Sequence, residues 1–77
     1  MHAANFQQLV GEQMPRIRRV ALAWCRDAVA REDLVQEILL QLWRSHGRYD
    51  PARPFAHWVQ RIASNVAISF VRSDRRQ

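Results

Sequence analysis

The sequence predicts an all-α domain, a compact bundle of three helices around one apolar cluster. Three observations carry that expectation. Three stretches repeat their apolar residues three and four apart, and none alternates with the two-residue period of a strand. The 77 residues include only two glycines, so few positions are marked for tight turns. A chain of this length supports one domain and buries only about 60% of the surface it exposes when unfolded. It contains no internal repeat, no low-complexity segment and no apolar run long enough to span a bilayer, and its N-terminus lacks the apolar core of a signal peptide.

Residues 4–26 read as the first helix. Phe6, Leu9, Val10, Met14, Ile17, Val20, Ala21 and Trp24 keep helical spacing, with Gln7, Gln8, Glu12, Arg16 and Arg19 mostly opposite. Pro15 removes a backbone hydrogen bond and crowds the preceding turn, and Gly11 weakens that turn further. A kink near Pro15, or two abutting segments, is therefore expected. Arg16, Arg18 and Arg19 form a basic cluster that reads as a solvated face, with a phosphate patch as the alternative. Cys25, the single cysteine, leaves no internal disulfide and fits a reducing cytoplasm; beside Trp24 it reads as a small buried hydrophobe.

The second helix begins after Asp27, whose carboxylate can cap the first-turn N–H groups, and Gly47 after Ser45-His46 is the expected stop. Glu32 and Asp33 bring negative charge toward the end that the helix dipole favours. Leu34, Val35, Ile38, Leu39 and Leu42 form one broad apolar arc, with Trp43 at its edge. The opposite face carries Asp33, Gln36, Glu37, Gln41 and Arg44, with Leu40 in their midst. Leu40 admits two readings: a lone exposed leucine, common on protein surfaces, or the mark of a helix with one face for its own fold and one for a partner.

Residues 47–54 are the only substantial loop. Pro51 and Pro54 restrict its backbone and exclude a continuous helix. With Arg48, Tyr49 and Arg53 it is either a plain linker or the wall of a pocket for an unstacked base, since single-strand readers combine aromatic platforms with cations. Residues 55–74 make the third helix. Phe55, Val59, Ile62, Val66 and Phe70 share its core stripe, flanked by Ala63 and Trp58. The far face collects His57, Arg61, Ser64, Asn65, Ile68, Arg72 and Arg75. Cations spread over several turns, with an amide and a hydroxyl between them, suit phosphates plus a few base contacts; a solvated basic face is the competing reading.

The formal charge is +5, and all twelve basic residues are Arg, which stacks on bases and grips phosphate bidentately. Its distribution says more than its total. Glu32, Asp33 and Glu37 sit on the second helix, whereas the last twenty residues hold four Arg against Asp74 alone. An acidic middle and a basic end suggest two partners of opposite character. Neither His46, His57, Asp50 nor Cys25 forms a metal-ligand pattern, and no triad, carboxylate pair or phosphate-binding glycine loop is present. Enzymatic activity, metal and cofactor are not expected.

Asp33-Leu34-Val35-Gln36-Glu37 followed by Leu42-Trp43-Arg44 resembles region 2.2 of bacterial RNA polymerase sigma factors. Tyr49-Asp50-Pro51 and Phe55-Ala56-His57-Trp58-Val59-Gln60-Arg61-Ile62-Ala63-Ser64-Asn65 resemble regions 2.3 and 2.4. The resemblance is to the extracytoplasmic-function (ECF) group and covers about residues 5–76. It implies that Asp33, Gln36, Glu37, Leu40 and Trp43 contact the clamp helices of the polymerase β′ subunit. It further implies that the third helix binds the promoter minus-ten element and helps open it, with a non-template base flipped into a pocket of the preceding loop and read by Asn65. The DNA-contacting residues would then be Tyr49, Arg53, His57, Arg61, Ser64, Asn65, Ile68, Arg72 and Arg75. The resemblance also admits an anti-sigma factor as a partner, and a cytoplasmic, nucleoid-associated location in the holoenzyme.

Three positions depart from the family pattern: Ser64 where Arg is frequent, Ser69 where Asp is frequent, and Pro54 where Ser or Gly is usual. The second helical domain that reads the minus-thirty-five element is not in this sequence, so the chain is expected to represent domain 2. The alternatives are a stand-alone helical DNA-binding regulator and a protein-interaction adaptor. The first does not need a Leu-bearing acidic face, and the second leaves the third helix merely solvated.

Overall fold

A computed structural model describes the backbone of residues 3–74 and the side chains of residues 5–73. Among the described residues four helices form: α1 (Ala3–Glu12), α2 (Met14–Trp24), α3 (Ala28–Ser45) and α4 (Phe55–Asp74), with a 3₁₀ turn at His46–Arg48. No strand occurs among the described residues. The all-α expectation holds, but the count is four helices, not three. The stretch 4–26 divides at Gln13, and Pro15 falls in the first turn of α2, where a missing N–H costs no helical bond. The divide stays hydrogen-bonded: the Gln13 N–H donates to the Val10 carbonyl (2.9 Å) and the Ile17 N–H to the Gln13 carbonyl (3.0 Å).

Asp27 caps α3 as expected, its side chain accepting from the Ala30 N–H at 2.9 Å. Removing that acceptor orphans a first-turn donor. Asp27→Ala is expected to lower stability by about 1 kcal/mol, read by thermal denaturation, with the helical circular-dichroism spectrum otherwise retained. The other end of α3 differs from expectation. Gly47 has no positive φ and lies inside the 3₁₀ turn, so it is not a left-handed cap. His46 closes the helix instead: its Nδ1 donates to the Trp43 carbonyl (2.8 Å), which can only accept.

The core is drawn from all four helices. Phe6, Ile17, Leu34, Ile38, Leu42 and Val59 are fully buried, with Val35 and Val10 nearly so. On α4 the deepest positions are Val59, Ala63 and Ala67, while Phe55, Ile62, Val66 and Phe70 are half-buried. The predicted stripe is therefore rotated toward the alanines, because α4 packs against both α2 and α3 and small side chains allow the closest approach there. Trp24 also departs from expectation: it ends α2 and stays 44% exposed, while Cys25 turns into extended backbone and is buried.

Phe6 anchors an aromatic cluster that holds the 46–58 segment in place. Its ring lies 5.1 Å from Trp43, 4.9 Å from His46, and 5.9 Å from both Phe55 and Trp58. Tyr49 continues the cluster, 5.2 Å from Phe55 and from Trp58. The loop is thus tied to the core through its aromatic rings.

Candidate functional site

Most of the residues singled out in the sequence fall on two surfaces. On α3, Ile38 faces the core, and at about 100° per residue the opposite face carries Val29, Asp33, Gln36 and Leu40, with Trp43 at its border. All five are exposed, Leu40 at 43% and Val29 at 71%. Trp43 is shared, since one edge of its indole packs on Phe6 and His46. Glu37 stands apart from this stripe. It is exposed, but it lines a groove of about 490 Å³ between α3 and α4 together with Gln41 and Arg44.

The second surface is a cleft of about 540 Å³ between the 3₁₀ turn, the loop and the first half of α4. Arg48, Tyr49 and Arg53 form one side, His57, Arg61 and Asn65 the other, and Trp58 contributes to the wall. Three guanidiniums thus stand against one carboxylate, Asp50. Asp50 turns inward on its own loop: its Oδ1 accepts from the Ala52 N–H (3.0 Å) and its carbonyl from the Arg53 N–H (3.0 Å). Its 4.0 Å approach to Arg53 is a solvent-exposed ion pair of little energetic weight. The Tyr49 hydroxyl donates to the Arg53 carbonyl at 2.8 Å, closing the loop across its own width. With Pro51 and Pro54 in the same segment, these bonds make a wall that does not have to be ordered when a ligand arrives.

The predicted nucleic-acid residues do not all meet. Tyr49, Arg53, His57, Arg61 and Asn65 converge on the cleft, and Asn65 also borders the α3–α4 groove. Ile68 (38% exposed) and Arg72 continue the outer ridge of α4 beyond the cleft. Ser64 belongs elsewhere. It is half-buried, accepts from Gln60 Nε2 at 3.2 Å, and faces α2. Arg75 lies outside the described residues. Arg48, which the sequence offered with Tyr49 and Arg53 as a possible pocket wall, does line the cleft; Trp58 was missed as a cleft residue because its spacing placed it beside the core stripe. Among the described residues no group of three His, Cys, Asp or Glu is placed to hold a metal ion, and no helix is long and apolar enough to cross a membrane.

The sequence profile of the Sigma-70 region 2 family matches residues 9–77. The chain belongs to that family. Among curated relatives, this region 2 chain is 34% identical over 70 residues to the RNA polymerase sigma factor CarQ of Myxococcus xanthus, covering 91% of the chain and 40% of that protein. It is 39% identical over 75 residues to the ECF RNA polymerase sigma factor SigL of Mycobacterium tuberculosis, covering 95% of the chain and 42% of the relative. It is 32% identical over 77 residues to the probable RNA polymerase sigma factor RfaY of Xanthomonas campestris, covering 95% of the chain and 19% of the relative. The region 2 chain therefore spans less than half the length of these relatives. No solved structure gives a significant match. Membership and these relatives place the chain with region 2 of sigma factors of the ECF group.

Proposed function

We propose that this domain lends promoter specificity to RNA polymerase by two contacts. The exposed stripe of α3, with Asp33, Gln36, Leu40 and Trp43 and with Glu37 beside it, docks on the β′ clamp helices. The cleft and the outer ridge of α4 bind the minus-ten element and help melt it, holding a flipped base of the non-template strand. The observation that carries the DNA half is the cleft itself, in which Tyr49, Trp58, three guanidiniums and Asn65 surround one concavity. Aromatic rings supply stacking, Arg supplies phosphate contacts, and Asn65 offers both a donor and an acceptor to a base edge. Recovering the energy of unstacking through pocket contacts favours a pocket built in advance, as the internally bonded loop is. This function belongs in the bacterial cytoplasm, at the nucleoid when the domain is part of a holoenzyme, and leaves room for an anti-sigma factor as a further partner.

Fluorescence anisotropy with single-base-substituted oligonucleotides at two salt concentrations tests the reading. Arg61→Ala is expected to weaken binding to every sequence and to reduce the salt dependence by about one phosphate contact. Asn65→Ala is expected to erase discrimination at one base, a loss on the order of 1–3 kcal/mol by analogy with duplex readout. Equal affinity of the wild type for all substituted strands would leave only a basic helix and sink the promoter-reading claim. Capture of core polymerase separates the sigma reading from a stand-alone DNA-binding regulator, which has no use for the α3 stripe.

A further inference from the structure

On the flank of α4 away from the cleft, a hollow of about 260 Å³ lies between α4 and α2. Arg16, Arg19 and Trp24 line it from α2, Gln60 and Ser64 from α4, and no acid contributes to its lining. Arg16 is held in place by neutral acceptors: Nε donates to Gln13 Oε1 and Nη1 to Gln60 Oε1, both at 3.1 Å. Its position is fixed but its charge is not cancelled. The Arg19 side chain is exposed and makes no hydrogen bond or ion pair among the described residues. Arg18, one residue away, is by contrast taken by Glu32 at 2.8 Å. Trp24 offers an indole that the core leaves 44% exposed.

We infer that this hollow receives the backbone of the second DNA strand where the duplex is still closed, an assignment that rests on the promoter-DNA reading of α4. An α-helix with its side chains is about 10–12 Å across, close to the roughly 12 Å width of the major groove. A helix whose outer ridge meets duplex DNA therefore turns each flank toward one backbone. On α4 the ridge is His57, Arg61, Ile68 and Arg72. The cleft flank serves one strand, and the hollow flank faces the other with two guanidiniums and no carboxylate. That charge complementarity selects phosphate, and the indole of Trp24 packs on the adjoining sugar. The arrangement also gives Ser64 a place in DNA binding: it stands beside Arg16 and Arg19, which supply the guanidinium charge that Ser64 itself lacks.

The test uses a strand selected from a random pool by the wild-type chain, offered alone and as a fork with its complement annealed along one half. Arg19→Ala and Trp24→Ala both alter exposed side chains, and circular dichroism verifies that each variant folds. Arg19→Ala is expected to weaken fork binding several-fold and to lower the slope of log affinity against log salt by about 0.9. Trp24→Ala is expected to weaken fork binding without changing that slope. Neither should affect the single strand. Unchanged fork binding, or an equal loss on both oligonucleotides, overturns the inference. A loss confined to core-polymerase affinity also overturns it and makes the hollow a protein-binding surface. A wild type with no preference for its selected strand sinks the promoter-DNA reading and this inference together. A wild type that keeps its preference, while Arg19→Ala leaves fork binding intact, sinks this inference alone.

Discussion

Phe6→Ala is expected to leave the domain unfolded or barely stable. Phe6 is fully buried, and its ring meets Trp43, His46, Phe55 and Trp58 together. Truncating a buried Phe typically costs ~3–5 kcal/mol, while a small domain has only about 5–15 kcal/mol in total and sits toward the low end. At about 4–8 °C per kcal/mol for a chain of this size, the melting temperature should fall by well over ten degrees, as a rough product of those two figures. The near-ultraviolet circular dichroism of the Trp and Tyr residues should collapse with it, because the same ring holds the 46–58 segment against the core. Leu9→Ala, at a half-buried position in the same helix, is the control and should cost clearly less. If Phe6→Ala melted like the wild type, α1 would be only loosely docked and the cleft would be positioned by something else.

The second large effect concerns the exposed face of α3. Gln36→Ala combined with Leu40→Ala is expected to reduce affinity for a β′ clamp-helix fragment by thirtyfold or more, about 2 kcal/mol, the scale of an interface hot spot. The melting temperature should barely move, because both side chains point away from the buried Leu34–Ile38–Leu42 arc. Val29, which lies on the same stripe nearer the N-terminus of α3 and is 71% exposed, serves as a graded comparison. Its truncation should matter only if the docked partner runs the full length of the helix. Binding that survives the double substitution removes α3 from the clamp contact, and Leu40 then becomes a lone surface leucine.

Much of the local structure was written in short-range chemistry. Asp27 before an apolar-periodic run specifies a helix start because a carboxylate satisfies first-turn donors wherever that helix packs. The spacing of Leu34, Val35, Ile38 and Leu42 specifies which face of α3 is buried, and Leu40 on the opposite side stands out for the same reason. Pro51 and Pro54 mark the break before α4, and the order of aromatic, basic and amide residues after it carries the family likeness. Loop composition singled out Tyr49 and Arg53, and helical periodicity His57, Arg61 and Asn65; the fold brings all five to one cleft.

What periodicity could not decide was which partner each face meets. Pro15 permits either a kink or a break, and only the bonding around Gln13 makes α1 and α2 separate helices. Trp24 keeps helical spacing with Val20 and Ala21, yet α2 ends beneath it and leaves the indole in solvent, a matter of where the next segment turns. Ser64 and Asn65 are neighbours in sequence, but α2 claims one flank of α4 and the loop claims the other, so one faces the α2 hollow and the other the cleft. A sequence repeat reports the angle of a side chain around its own helix axis. It carries no information about what stands at that angle, because that depends on the packing of α2, α3 and α4 against one another, and in this domain that packing separates a cleft from a hollow on the two sides of one helix.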